Sequence, residues 1–122
     1  MLVRKAEGRL SVELRVERVG ADLLAVLTGG AAHLGTAVLA VPRPSLAEPG
    51  RTSCTSSVLN HTGHKDGYLC RKVAETLCSR YAAVTVCTGG IHYDGATGEE
   101  LKTLAELTEQ ALACLEAEAI WL

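Results

Sequence analysis

Phenylalanine is absent from the 122 residues, and one tryptophan and three tyrosines leave aromatics at 3% although 48% of the chain is apolar. A core must therefore be assembled from Val, Leu, Ala and Cys, whose small side chains let backbones pack closely. Basic residues are not in excess: 12 stand against 14 acidic ones for a formal charge of -2, which excludes the broad positive field that draws nucleic acid. No apolar run approaches the about eighteen residues of a membrane span. The opening MLVRKAEGRL also lacks the apolar centre of a signal peptide, so a cytoplasmic protein away from membranes is expected. The five cysteines, Cys54, Cys70, Cys78, Cys87 and Cys114, are odd in number and never spaced CxxC, which argues against a disulfide framework or a zinc ribbon. They read as reduced thiols, four in regular elements and Cys54 in a polar loop. GxxxxGK[ST], GxGxxG and GxSxG are missing too, so nucleoside triphosphate, dinucleotide and nucleophile-elbow chemistry have no motif behind them.

What is present fits one domain, residues 1–122, long enough to bury about two thirds of its unfolded surface. LSVELRV from Leu10 to Val16 alternates strictly and predicts a half-buried strand. After a turn at Val19 to Asp22, the run LLAVLT predicts a strand covered on both faces, ending at Gly29-Gly30. HLGTAVLAV, about 33–41, predicts a third strand paired antiparallel with the second. Pro42, Pro44 and Pro49 then stop regular structure, and a long polar loop runs through Ser57. Apolar spacing predicts a helix from about Asp66 to Tyr81, with Leu69, Cys70, Val73, Ala74, Leu77, Cys78 and Tyr81 on its buried side. Ala82 to Thr88 predicts a fourth strand ending at Gly89-Gly90. Thr97 and Glu100 have capping-box spacing for a last helix, whose buried stripe is Leu101, Leu104, Thr108, Ala111, Leu112 and Leu115. Its other side, carrying Glu99, Glu100, Glu106, Glu109, Glu116 and Glu118, reads as a solvated acidic face.

The order β-β-β-α-β-α gives an α+β fold, an α/β sandwich with two helices on a sheet. It comprises a three-strand antiparallel meander and a fourth strand reached by a helical crossover. A crossover returns parallel to its starting strand, so SVLNHTGHKDG (57–67) and TGGIHYDGATG (88–98) are expected at one end with both helix starts. Thr28-Gly29-Gly30 and His33 are expected at the other. VLTGGAAH and VCTGGIH are read as strand ends that turn tightly, rather than as a duplication.

Two helix starts and Gly-rich turns can cradle a phosphate, because free amides and helix dipoles favour negative charge. Thr62, Gly63, His64 and Lys65 add a hydroxyl, an imidazole and a cation there. His61 and His64, with His92 and Asp66 or Asp94, could instead hold Zn, Mn or Fe; or the histidines bond loop backbone. His61 with Asp66 or Asp94 could act as an acid–base pair, while Ser56, Ser57 and Cys54 lack the setting of a poised nucleophile.

SVLNHTGHKDGYLCRKVAETLC and TVCTGGIHYDGATGEE resemble a small family grouped with the accessory proteins of gallate decarboxylase, regarded as chaperones for prenylated flavin. The element order is also similar to that of proteasome assembly chaperones, a likeness of fold alone. The first resemblance implies binding of prenylated FMN (or FMN) and delivery to, or maturation within, a UbiD-type decarboxylase, by an accessory protein rather than an enzyme. The expected contacts are Asn60, His61, Thr62, Gly63, His64, Lys65, Asp66, Thr88, Gly89, Gly90, His92, Tyr93 and Asp94. Amides near Gly63 and Gly89-Gly90 with Lys65 would hold the phosphate, and His61, His92 and Tyr93 the flavin. No catalytic or metal residue is assigned. The alternatives are a metal-dependent hydrolase or lyase using His61, His64 and His92, and an assembly module without a small ligand. Exposed sheet edges make a homodimer plausible.

Overall fold

The computed structural model describes residues 1–61 and 67–118. It is α+β, as expected: a six-stranded mixed sheet with two helices on one face. The elements are β1 (Leu2–Glu7), β2 (Leu10–Val19), β3 (Asp22–Gly30), β4 (Thr36–Pro44), β5 (Thr52–Asn60), α1 (Gly67–Tyr81), β6 (Thr85–His92) and α2 (Gly98–Ala117). Strand order across the sheet is β1-β2-β3-β6-β4-β5.

Leu10, Val12, Leu14 and Val16 are buried as their alternation requires, and the turn Gly20-Ala21 pairs Val19 with Asp22. The expected three-strand meander is not formed. β3 and β4 do not pair; β6 inserts between them, parallel to β3 and antiparallel to β4. Two further strands are present. β1 pairs with β2, and β5 occupies most of the stretch expected to be a loop.

β5 escapes a pattern reading because TSCTSSVLN has no apolar alternation. As an edge strand beside α1 it makes a polar seam: the Ser56 hydroxyl donates to Glu75 Oε1 (2.8 Å), which also accepts from Arg71 Nε (2.6 Å). Cys54 is thus in a strand and half-buried, not in a loop. β4 also continues through Pro42 and Pro44. Beyond Ala40 it pairs only with β5, so the missing amides sit where one side of the backbone has no ladder to serve.

The extra strand changes the geometry of the ends. Because β5 reverses the chain, β6 runs antiparallel to β4 and parallel to β5 and β3. The 57–61 and 88–98 segments still share an end with both helix starts, as expected. Gly29-Gly30 and His33, expected at the opposite end, lie at this one, with Gly29 opposite Ile91 and Gly30 opposite His92.

Sheet residues such as Val12, Leu14, Ala25, Leu27, Val38 and Cys87 pack under Val73, Leu77 and Cys78 of α1 and Leu107, Ala111 and Leu115 of α2. Among the described residues the core contains no aromatic ring; Tyr81 and Tyr93 pack at its margin. Among the described residues β3 is covered on one face only, with Leu23, Ala25 and Leu27 buried and Leu24 and Val26 half-buried opposite. In α2, Leu107 rather than Leu101 completes the buried stripe, and Leu101 is 58% exposed. In α1, Leu69 and Tyr81 are half-buried. Among the described residues no helix is long and apolar enough to cross a membrane.

Candidate functional site at the glycine-rich end of the sheet

Because β6 lies between β3 and β4, the connection Ala31 to Gly35 must cross the end of β6. Two backbone bonds pin it there: Ala31 N to His92 O and Gly35 N to Gly89 O, both 2.9 Å. This crossing explains Gly90, and the neighbouring backbone of β3 explains Gly89. A Cβ on Gly90 would sit 2.5 Å from the His33 ring, and one on Gly89, whose φ is 134°, would overlap the Leu27 carbonyl. Thr88 lies inside β6 as expected, and Gly89 and Gly90 are buried within the strand, which runs on to His92, rather than ending it. The Thr88 hydroxyl donates to Thr36 O (2.8 Å) across the strands.

On the side of this end away from the helices, His33 and His92 meet edge to face with ring centroids 6.5 Å apart. His33 Nδ1 donates to Ala31 O (3.0 Å) and His92 Nε2 to Asp94 Oδ1 (3.0 Å). The His61 amide donates to Gly35 O (2.7 Å), bringing a third histidine to the same end. Among the described residues no group of three His, Cys, Asp or Glu side chains is placed to hold a metal. Thr62, Gly63, His64, Lys65 and Asp66 lie outside the described residues.

Tyr93 and the start of α2 are tied to the β1–β2 hairpin. The Ser11 amide donates to the Tyr93 hydroxyl (2.7 Å), which donates to Ser11 O (3.1 Å). Arg9 lies 5.5 Å above the Tyr93 ring and donates to both Glu100 carboxylate oxygens (2.7 and 3.0 Å) and to Asp94 O (3.1 Å). Its hydrogen bond, aided by the Thr97 amide, holds the Glu100 carboxyl down to about 2. The capping box is complete: Thr97 Oγ1 accepts from Glu100 N and Glu100 Oε1 from Thr97 N, both 3.1 Å. With Glu99 and Glu100 in its first turn, α2 supplies its own negative charge and is a poor seat for an anion.

α1 is different. Its first turn carries no acidic residue. Asn60 lies against its start, where a Cβ on Gly67 would come within 2.7 Å of Oδ1. Between the two helix starts and β6 opens a mainly apolar groove of about 430 Å³, lined by Tyr68, Leu69, Ile91, Leu101, Leu104 and Ala105, with Lys102 at its rim. Tyr68 is 70% exposed. Periodicity assigns Leu101 and Leu69 to the core and gives Tyr68, Lys102 and Arg9 no role. A large apolar residue exposed beside a first turn without acidic groups cannot be read from spacing alone. A larger concavity, about 630 Å³ between the start of β5 and the ends of α1 and α2, is polar and distant from these groups. Arg51, Lys72 and Glu75 in its lining pair with Glu48, Glu109 and Arg71.

The comparisons agree with this architecture. A solved chain described as a chaperone complex for yeast 20S proteasome assembly superposes with a TM-score of 0.56 over 97% of this chain and 96% of that one. Identity is 13%, so the likeness concerns the fold alone. No curated protein matches the sequence. A family model, the prenylated flavin chaperone LpdD-like domain, matches residues 6–119, nearly the whole of both helices and the sheet. The chain belongs to the family of prenylated flavin chaperone LpdD-like domains.

Proposed function

We propose that this protein is a cofactor chaperone that holds prenylated FMN, or FMN, at the glycine-rich end of the sheet and passes it to a UbiD-type decarboxylase. The reading rests on one observation: a helix whose first turn is free of acidic residues opens directly onto an apolar groove of ligand size. The family membership supports the choice of cofactor.

The residues fit the group. Its phosphate would meet the α1 amides together with the 60–66 stretch, where Asn60, His61, Thr62, Gly63, His64, Lys65 and Asp66 stand in sequence. Its ring system would enter the groove beside Tyr68, Ile91 and Leu101, with Lys102 at the rim. Tyr93 is already held by Ser11 and covered by Arg9, so its part would be to fix the β6–α2 turn, leaving Tyr68 to stack. Gly89 and Gly90 are buried within β6, and Thr88 and His92, with Asp94 bonded to His92, lie on the other face of the same sheet end; their part would be to shape this end rather than to line the groove. The flavin, when bound, brings the redox and covalent chemistry; this chain orients it and limits its exposure. We read the chain as one domain and not an enzyme, working in the cytoplasm as a homodimer.

The test is anaerobic purification after co-expression with a flavin prenyltransferase, followed by absorption and mass spectra and metal analysis. A bound flavin at one per chain is expected, lost in His64→Ala and Lys65→Ala and weakened in Leu101→Glu. A colourless protein that also fails to bind added FMN would overturn the reading, and stoichiometric metal without flavin would replace it with the metal-dependent alternative.

A further inference from the structure

The two helices cover one face of the sheet and, among the described residues, nothing covers the other, yet the central strands are written for two covered faces. On the bare side, Leu24, Val26, Val86, Leu39, Val41 and Leu59 come from four adjacent strands. Leu24 stands opposite Val86 and Val86 opposite Leu39 in register. Their neighbours along each strand, Ala25, Cys87, Val38 and Ala40, are buried beneath the helices, so the orientation is unambiguous. Leu39 is 43% exposed, Val41 44% and Leu59 77%. An apolar patch this continuous marks a contact surface.

The shape and charge of the face select its occupant. Six strands spaced about 4.8 Å apart make a face roughly 29 Å wide and 20 Å tall, which with side-chain relief approaches the about 800 Å² that each partner buries in a standard interface. A twisted sheet is best matched by another of the same twist, packed at about 10 Å. The strip flanking the apolar centre carries Arg4 opposite Glu13, with Arg15 beside Val26 and Glu17 beside Leu24, all on the same side. A partner of one sign would be repelled by half of these groups. A second copy turned about a two-fold axis can set arginine against glutamate throughout.

We propose that this face is the interface of a homodimer in which two sheets pack against one another. It gives a surface to the homodimer named in the preceding proposal and does not depend on flavin. The groove between the helix starts lies on the opposite side of the sheet and stays open in such a dimer.

The test uses the full chain without added flavin. Sedimentation equilibrium should give a mass of two 12.8 kDa chains at micromolar concentration. Leu39→Glu, which places a charge on the face, should raise the dissociation constant about a hundredfold or more. Leu101→Glu, in the groove, should leave it unchanged. If Leu39→Glu fails to fold by circular dichroism, hydrogen exchange of the native protein decides. Protection of β4 and β6 peptides should fall on dilution while that of α1 and α2 does not. A native monomer, a dimer unaffected by Leu39→Glu, or exchange in β4 and β6 independent of dilution would overturn the proposal. A colourless dimer would sink the flavin reading and leave this one standing; a flavin-loaded monomer would do the reverse.

Discussion

Replacing Gly89 by alanine should be among the most damaging single substitutions in the protein. Gly89 is buried at the centre of the sheet, opposite Leu27 of β3 and Thr36 of β4, with φ of 134°. An added Cβ would overlap the Leu27 carbonyl oxygen and lie 2.8 Å from its carbon, both backbone atoms that no rotamer change can move. Holding a non-glycine residue in that conformation costs about 1–3 kcal/mol. Relieving the overlap means parting β6 from β3, at about 1 kcal/mol for each ladder bond lost. The sum, about 3–5 kcal/mol, is a large share of the about 5–15 kcal/mol that holds a domain together. At about 4 °C per kcal/mol, Tm should fall by roughly 12–20 °C. Urea denaturation of purified variants measures the loss directly. Gly95→Ala, with φ of 64° but open space around it, should cost about 1 kcal/mol. Gly98→Ala, with ordinary φ and open space at the start of α2, should stabilise by about 0.5 kcal/mol. A Gly89→Ala protein within about 1 kcal/mol of the native one would refute the claim that the close approach of the Leu27 backbone dictates this glycine.

Thr97→Ala removes the hydroxyl of the capping box and should cost about 1 kcal/mol in urea denaturation; no loss would mean that the Arg9 contacts alone fix the start of α2. The Glu100 carboxyl is held at about 2, below its usual 4.5, chiefly by its hydrogen bond from Arg9. Its contribution is therefore present above pH 4.5 and lost as pH falls toward 2. The Tm gap between the native protein and Arg9→Ala should close over that window, and a gap constant from pH 7 to pH 2 would contradict the pairing. Burial pushes the Cys78 thiol up to about 11, and the Cys70 hydrogen bond together with burial raises that of Cys87. At pH 8 a thiol reagent should first modify the half-buried Cys54 and Cys114, with Cys70, Cys78 and Cys87 following only on unfolding. All five reacting in a single fast phase would show that the core opens locally.

How much is legible divides by the range of the forces involved. The alternation that buries Leu10 to Val16, the stripe of α1 and the capping box of α2 are readable, because each depends on residues within a turn or two of one another. The α+β class follows from them, and so does the gathering of 57–61 and 88–98 at one end. That last inference survives a missed strand because a crossover returns parallel to whichever strand it leaves, β5 here rather than β4. β5 itself is illegible: its burial is a polar seam with Arg71 and Glu75 of another element, and no local pattern encodes a partner so far along the chain. The position of β6 between β3 and β4 is equally hidden, and with it the presence of Gly29-Gly30 and His33 at the glycine-rich end and the real task of Gly89 and Gly90. By itself the sequence determined the elements whose periodicity is intrinsic, a core built from Val, Leu, Ala and Cys, and a family resemblance. Only the tertiary structure decided which strands are neighbours, which residues meet at each helix start, and that among the described residues nothing covers one apolar sheet face. Strand order is settled by contacts between distant residues, which leave no period in the chain.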